Sequence, residues 1–400
     1  MQNSRKTPVH RVLVVRGDLN SYSGYAYATR LYLESLEADF DVVLGVDLHG
    51  HPSRHVAVWV YPLIDDGLIL SVASQPDVDL VVLTISTPDN FRRFESAQNV
   101  GLFFWETTRL GNASWITSMN HIDEVRVPAA FMREMLETEG VTTPIVYAPC
   151  PLPESIERPE LTDIPNITLR EIPMHPAGQA AFHTLAEIRA NSKRLFLSTN
   201  SFIPRKGFPV LVDEWLTVVD AYPEAALILK VSTIDVTETP DRLYDRIERL
   251  FAQIGQRHNL TSTRVFVCTA SLTHEAMQAL GSTCDAFLTM SFGEGLGLGL
   301  FENLLSGKPV ICPRHTSFEE FLPTDYPYFL DTEVANFGLA DPVGVNPISA
   351  RWGVPREGSL LTTIRQLIVD LDEGRAQPAI DNAIKHFRTV YQTGQREHQT

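Results

Sequence analysis

Short apolar runs alternate with amphipathic stretches along most of this chain. In the first part the runs are nearly continuous, which is typical of strands covered by helices on both faces. They are RVLVV (11–15), DVVLGV (41–46), DLVVLTI (79–85), VGLFFW (100–105) and PIVYAP (144–149). Stretches with helical spacing, including 25–36 and 129–139, lie between them. This alternation of strand and helix predicts a parallel, doubly wound sheet.

A proline-rich stretch from Cys150 to about Asn191 separates this series from a second one. It shows little periodicity, and we interpret it as an interdomain connection with an irregular excursion. The second series comprises RLFLSTN, ALILKVS, RVFVCTA, DAFLTMS, PVICP and YPYFL, and the chain ends in an amphipathic pattern. We therefore predict an α/β protein with domains at 1–190 and 191–375 and a helix within 376–400 that could pack back on the first domain.

Length and charge narrow the function classes. The chain has 400 residues, enough for two domains, and a formal net charge of −16. An excess of acidic residues argues against broad nucleic-acid binding, although one bound diphosphate needs only one or two cations. The four cysteines lack paired short spacing, which suits buried thiols in a reducing compartment. No apolar run is long enough for a signal peptide or a membrane span, so we expect a cytoplasmic protein. No basic amphipathic helix supports membrane association, although a loose association stays open.

The clearest chemical signal lies in DAFLTMSFGEGLGLGLFENLLSGKPVICPRHTSFEEF (285–321). A strand runs into a glycine-rich turn, and a helix follows from about 298 to 305. Gly295, Gly297 and Gly299 would let a ligand approach the backbone, while the helix N-terminus supplies N–H groups and partial positive charge. These features together predict an anion site suited to a diphosphate.

Glu294 and Glu302 stand eight residues apart around this turn. The order E-G-L-G-L-G-L-F-E resembles the E-x7-E motif of retaining glycosyltransferases of the GT-B fold, glycosyltransferase family 4. The family's usual form is E-G-F-G-L-P-x-x-E, so Leu296 replaces the aromatic residue and Gly299 the proline. The resemblance implies that Glu294 contacts hydroxyls of the donor sugar and that Glu302 accepts hydrogen bonds from the ribose diol. It also implies donor contacts along the turn, at Gly295, Leu296, Gly297 and Leu298.

A basic pair follows the first strand of the second series. In LSTNSFIPRKGFPVLVDEWL (197–216), Arg205 and Lys206 precede a glycine and a helix, which is similar to the family's basic segment. Cleavage of a sugar–phosphate bond leaves negative charge on the diphosphate, and positioned cations stabilise that charge. We therefore expect Lys206, and after it Arg205, to be catalytic together with Glu294. Asn200 stands where the family commonly has an arginine, which implies fewer charge contacts or a shifted Arg205.

Weaker candidates lie elsewhere in the chain. Gly24 matches a glycine-bearing loop of the family, although an ordinary turn between strand and helix is an almost equal alternative. Glu106 could bind an acceptor hydroxyl or act as a carboxylate at a helix N-terminus. The histidine that many family members place in this region is missing from the strand end. Ser271 and Leu272 occupy a position similar to the family's base-reading loop.

Two further polar features have structural explanations. Lys230 lies near a strand end, where a structural ion pair is favoured over a phosphate contact. The D-x-D match at Asp77 and Asp79 has no supporting carboxylate cluster. We therefore predict no metal and no cofactor, with charge stabilisation from Lys206 and the helix N-terminus.

These expectations combine into one function. The resemblance implies two doubly wound, Rossmann-like domains facing each other across a cleft at the carboxyl ends of the strands. We predict a metal-independent, retaining hexosyltransferase with a nucleotide-sugar donor, most plausibly a UDP- or GDP-hexose, and an unidentified acceptor. The alternative is a catalytically weak, glycosyltransferase-like binding or scaffold subunit, motivated by Asn200 and the missing histidine. A nicotinamide-dependent oxidoreductase is disfavoured, because the glycines are spaced G-x-G-x-G rather than G-x-G-x-x-G.

Overall fold

The computed structural model describes residues 10–21, 23–48, 59–62, 66–153, 156, 167–174, 181–233, 235, 237–336 and 349–398. The described residues form two compact units. The first unit comprises the described residues from His10 to Leu152 and the end of the last helix from Tyr391 onward. The second unit comprises the described residues from Pro153 to Val390. Among the helices of these residues, none is long and apolar enough to cross a membrane.

The first unit contains a seven-stranded parallel sheet in the order β3-β2-β1-β4-β5-β6-β7. Its strands are β1 (His10–Gly17), β2 (Val42–Asp47), β3 (Trp59–Pro62), β4 (Val78–Ile85), β5 (Gln98–Leu102), β6 (Glu124–Val127) and β7 (Ile145–Tyr147). Its helices are α1 (Gly24–Leu36), α2 (Asp66–Ala73), α3 (Ala113–Met119) and α4 (Ala130–Thr138).

The second unit contains an eight-stranded sheet in the order β15-β14-β13-β10-β11-β12-β8-β9 and a separate two-stranded ribbon, β16-β17. The strands are β8 (Thr168–Glu171), β9 (Phe182–Thr184), β10 (Arg194–Ser201), β11 (Ala225–Ser232), β12 (Val265–Cys268), β13 (Ala286–Leu288), β14 (Val310–Pro313), β15 (Phe329–Leu330), β16 (Thr332–Ala335) and β17 (Trp352–Pro355). The helices are α5 (Leu185–Ala190), α6 (Phe208–Ala221), α7 (Pro240–Gly255), α8 (His274–Thr283), α9 (Leu298–Leu305), α10 (Ser317–Phe321), α11 (Ser359–Asp372) and α12 (Ala376–His398).

The prediction of parallel, doubly wound sheets is confirmed. Each continuous apolar run of the sequence contains a strand, and strands in the middle of each sheet are buried along most of their length. In β10, for example, Leu195, Phe196 and Leu197 are all at most 1% exposed. The short strands β3, β6, β16 and β17 were not expected, because four residues give too little pattern to separate a strand from a loop.

The proline-rich stretch contributes to the second sheet. Strands β8 and β9 pair antiparallel with each other, and β8 adds antiparallel to the edge strand β12. Leu169 and Ile172 are fully buried there. The two units divide at Leu152, so the described residues among 153–190, which the sequence analysis placed with the first domain, lie in the second unit.

Candidate functional site

Two loops of the second unit leave the same edge of the sheet. Strands β10 and β13 are parallel neighbours, with Phe196 opposite Ala286 in the register. Because parallel strands end at a common edge, the segments that follow them are brought together although they lie far apart in sequence. The backbone N–H of Phe292 donates to the carbonyl of Arg205 at 2.9 Å and joins the two loops directly.

Gly207 allows this close approach. Its φ of 65° lies in the left-handed region, and a Cβ at this position would come within 2.4 Å of the Met290 carbonyl oxygen. Only glycine meets both requirements without strain. The glycine after the basic pair is therefore a packing requirement of the site.

The basic pair contacts the first glutamate of the motif. Lys206 Nζ pairs with Glu294 Oε1, and Arg205 Nη1 lies 3.2 Å from Glu294 Oε2. Arg205 Nη1 also donates to the Gly293 carbonyl at 2.6 Å. The Glu294 side chain is 10% exposed, and those of both cations are 15% exposed. Three of the predicted catalytic residues therefore form one buried charge cluster, which we call the Glu294 cluster (Arg205, Lys206 and Glu294).

The electrostatics of the cluster keep Glu294 ionised. Burial acts to raise the pKa of Glu294, but the charges of Lys206 and Arg205 and hydrogen bonds from Lys206 and Ser291 lower it to about 2. The effect of the cations exceeds that of burial because both contact the Glu294 carboxylate directly, in a site from which most water is excluded. At neutral pH the cluster carries two positive charges and one negative charge.

Helix α9 begins four residues after Glu294, at Leu298. Gly297, its N-cap, has a φ of 85°, and a Cβ there would lie 2.5 Å from Phe318 Cε1. A Cβ at Gly299 would lie 2.7 Å from Thr199 Oγ1. A glycine N-cap offers no side-chain acceptor, so the amides of the first turn must be satisfied from elsewhere. Close packing therefore requires both glycines, and the N-terminus of α9 carries the partial positive charge common to helix N-termini.

Glu302 lies on α9 and faces a pocket between α8, α9 and β10. The pocket has a cavity volume of about 40 Å³ and is also lined by Thr199, His274, Asn303 and Ile156. A volume of this kind gives room for about three water molecules. Glu302 is half-buried.

The remaining candidates of the second unit occupy distinct places. Asn200 is 9% exposed, and its side-chain amide donates to Ser198 Oγ at 2.8 Å. Ser271 is exposed and Leu272 half-buried in the loop that leads into α8. Lys230 makes no ion pair with any of the described residues; its ammonium lies 3.4 Å from the Val231 carbonyl, and burial lowers its pKa. The structural ion pair that the sequence analysis favoured for Lys230 is therefore not formed among the described residues.

The first unit contains the other weak candidates. Gly24 starts α1 in open space, so packing does not require glycine there. Glu106 follows β5 and is half-buried. Asp79 lies at the amino-terminal end of β4 and contacts Arg11 at 3.8 Å, far from the strand ends where ligands of such sheets bind. Among the described residues no group of three or more potential metal ligands occurs.

Solved structures with the same architecture were found by structural comparison. A UDP-forming trehalose-phosphate synthase from Burkholderia xenovorans matches with a TM-score of 0.61 and 10% identity, over 97% of this chain and 99% of that one. A sucrose-phosphate synthase from Thermosynechococcus elongatus matches with a TM-score of 0.60 and 13% identity, over 97% and 98%. These neighbours are GT-B glycosyltransferases. The chain has the GT-B fold.

A third GT-B neighbour is HepE from Anabaena, solved with UDP and glucose, with a TM-score of 0.58 and 12% identity over 96% of this chain and 98% of that one. No family model and no curated protein matches the sequence. The comparisons therefore show the fold, while the chemistry has to be argued from the residues of this GT-B chain.

The turn after β14 belongs to the site and was missed at the level of sequence. Thr316 Oγ1 accepts a hydrogen bond from the Glu294 N–H at 3.0 Å, and Ser317 Oγ donates to the Leu296 carbonyl at 2.9 Å. Thr316 also has a φ of 51°, which is unusual for a β-branched residue. Nothing local in the sequence indicates this conformation, because threonine favours extended backbone.

Proposed function

We propose that this chain is a retaining glycosyltransferase that transfers a hexose from a nucleotide-diphosphate sugar to an acceptor hydroxyl. The observation that carries the proposal is the Glu294 cluster, buried three residues before the glycine N-cap of α9. The GT-B fold supports it, since neighbours with this fold form UDP or were solved with UDP and glucose. A UDP- or GDP-hexose is the donor that this reasoning favours.

The charge of the cluster suits a diphosphate. The cluster places two cations beside one carboxylate, and both cations are of the type that binds a diphosphate. The N-terminus of α9 adds partial positive charge nearby in the sequence. Before the donor binds, Glu294 holds Lys206 and Arg205 in place, which lowers the cost of organising them for catalysis.

In the proposed reaction, the bond between the anomeric carbon and the phosphate oxygen breaks and its electron pair stays on the diphosphate. Lys206 and Arg205 stabilise that charge. The acceptor oxygen bonds to the anomeric carbon on the same face, and its proton passes to the departing phosphate oxygen. The Glu294 carboxylate retains lone pairs that can accept hydrogen bonds from hydroxyls of the donor sugar. Glu302 would accept hydrogen bonds from the ribose hydroxyls.

Nucleotide binding is the first test. UDP, GDP, ADP, TDP and their common sugar conjugates are titrated while the melting temperature is followed, because a ligand of the folded state raises it. One nucleotide family should stabilise the protein and identify the base. Absence of any shift at millimolar ligand would remove the nucleotide-sugar proposal.

Turnover of the stabilising donor is the second test. Lys206→Ala should lower donor hydrolysis or transfer by about 10²- to 10³-fold, as for loss of one transition-state contact, while the protein stays folded. Lys193→Ala is the matched control, since Lys193 is 62% exposed and lies 4.0 Å from Glu224. Near-normal turnover of Lys206→Ala would exclude Lys206 from the mechanism.

Turnover should persist in EDTA, since the proposed charge stabilisation comes from side chains. Loss of turnover that Mn²⁺ restores would refute the metal-independent mechanism.

A binding or scaffold subunit is the second candidate. It is favoured by Asn200, which replaces the family's arginine and is engaged with Ser198 instead of the Glu294 cluster. In that case wild-type protein binds the nucleotide without measurable donor turnover. The two candidates are therefore separated by the same pair of measurements.

A further inference from the structure

Thr316 connects the Glu294 cluster to the turn after β14. Its hydroxyl accepts a hydrogen bond from the Glu294 N–H at 3.0 Å and donates its own proton to the His315 carbonyl at 2.8 Å. The residue is 8% exposed, so water has little access to either bond. One hydroxyl thus satisfies the backbone amide of the residue whose carboxylate holds both cations.

The backbone of Thr316 is strained to make this contact. Its φ of 51° and ψ of −131° lie in a region that glycine occupies readily and β-branched residues avoid. Such a conformation costs about 1–3 kcal/mol and persists only where the surroundings impose it. Glycine would remove the strain, but it would also remove the hydroxyl that the Glu294 amide uses.

The neighbouring residues hold the same loop at further points. Ser317 is fully buried, and its Oγ donates to the Leu296 carbonyl at 2.9 Å. The ring of Phe318 packs against Gly297, where a Cβ would lie 2.5 Å away. The residues from Glu294 to Gly297 are therefore fixed from one side by three consecutive residues. The Thr316 hydroxyl accepts from the Glu294 N–H at 3.0 Å, and the Ser317 N–H makes a longer contact, 3.5 Å, to the Glu294 carbonyl.

We propose that Thr316 is a positioning residue, whose hydroxyl fixes the backbone of Glu294 and thereby the direction in which the carboxylate meets Lys206 and Arg205. This inference rests on the proposed function of the Glu294 cluster. The strained backbone is the local cost of placing a hydroxyl at that point. The hydroxyl, and not the bulk of the side chain, is the functional part of the residue.

Three substitutions separate hydroxyl, bulk and strain. Thr316→Ser keeps the hydroxyl, Thr316→Val keeps the β-branched shape without it, and Thr316→Gly removes both the hydroxyl and the strain. Thr283→Val is the matched control, since Thr283 is buried and its hydroxyl bonds to Ala279 within its own helix.

Hydrogen exchange of the segment 289–297 tests the contact without any substrate. The Glu294 amide should exchange about tenfold faster in the Val and Gly variants than in wild type, Thr316→Ser and Thr283→Val, as expected for loss of one hydrogen bond. Unchanged exchange in Thr316→Val would overturn the inference even if the protein has no donor turnover.

Kinetics test the consequence. With the donor identified by titration, kcat should fall about 10- to 100-fold in both Thr316→Val and Thr316→Gly, with little change in donor KM, and recover in Thr316→Ser. Wild-type kcat in Thr316→Gly would show that the hydroxyl is not needed for turnover, and would overturn the inference. A lower melting temperature with unchanged kcat would show a merely structural role. Failure of the proposed function is distinguishable from failure of this inference, because the former would appear as absence of nucleotide binding in the wild-type protein.

Discussion

The contact between Lys206 and Glu294 should contribute measurably to stability. The pKa of Glu294 is about 2 against an ordinary 4.5. A difference of about 2.5 corresponds to about 3 kcal/mol in favour of the ionised carboxylate, at about 1.4 kcal/mol per pKa unit. This is a net effect, since burial opposes it and Lys206 and Arg205 provide the largest favourable contributions. The figure needs little reduction for solvent screening, because these side chains are at most 15% exposed.

Removing either partner should therefore destabilise the protein. Lys206→Met leaves Glu294 buried with Arg205 alone, and Glu294→Gln leaves two cations side by side without a carboxylate. Each should cost about 2–3 kcal/mol, somewhat less than complete loss of a buried pair, because Arg205 remains. The double variant loses the contact between Lys206 and Glu294 only once, so the two effects should fall short of additivity by about 1–3 kcal/mol.

Urea denaturation at neutral pH measures the four free energies of unfolding, provided that the variants share one m value. The control cycle uses Arg356 and Asp331, whose side chains are 54% and 72% exposed at 3.5 Å. Its coupling should be below about 1 kcal/mol. Additivity of the Lys206 and Glu294 effects within about 0.5 kcal/mol would refute the reasoning, since the contact would then contribute no coupling.

Three further predictions concern pH, packing and binding. The folded-state pKa of Glu294 lies below the unfolded one, so its stabilisation is complete above pH 4.5 and is lost as the pH falls toward 2. Acid titration from about pH 6 to about pH 3.5 should thus destabilise wild type about 1 kcal/mol more than Glu294→Gln, and equal losses would contradict the assignment. Gly207→Ala should destabilise the protein by more than the control Gly358→Ala, for which about 1–2 kcal/mol is expected from the left-handed backbone alone. The added Cβ meets Met290 at position 207 and open space at position 358. Equal melting temperatures of the two variants would argue against the contact. Glu302→Ala should raise the nucleotide Kd by about tenfold or more, for loss of charge-assisted hydrogen bonds, and unchanged affinity by calorimetry would contradict the ribose role.

Several features of this protein were predictable from the sequence because they depend on neighbouring residues. Continuous apolar runs predicted the long strands such as β1, β4 and β11, since a strand covered on both faces needs apolar residues at every position. Helix α9 begins and ends as expected, at Leu298 and Leu305, because glycine residues and a following polar turn delimit it. The basic pair before a glycine was visible for the same reason.

The edges of the second unit were less predictable. Strands β8 and β9 lie in a stretch rich in proline, and their pairing depends on the open edge of β12, which no local pattern indicates. Short strands receive much of their stability from the sheet they join, so their own sequence carries little information.

The Glu294 cluster was decided by the tertiary structure. Lys206 and Glu294 are 88 residues apart, and they meet because β10 and β13 pair as parallel neighbours and end at one edge of the sheet. The sequence indicated each residue as a candidate, yet gave the glutamate a sugar contact and did not predict its pairing with the cations. The positive φ of Thr316 likewise depends on its hydrogen bonds to Glu294 and His315. Local sequence determines which helices and strands form. The pairing of charges distant in sequence and the strained turn at Thr316 depend on how the completed sheet places its loops.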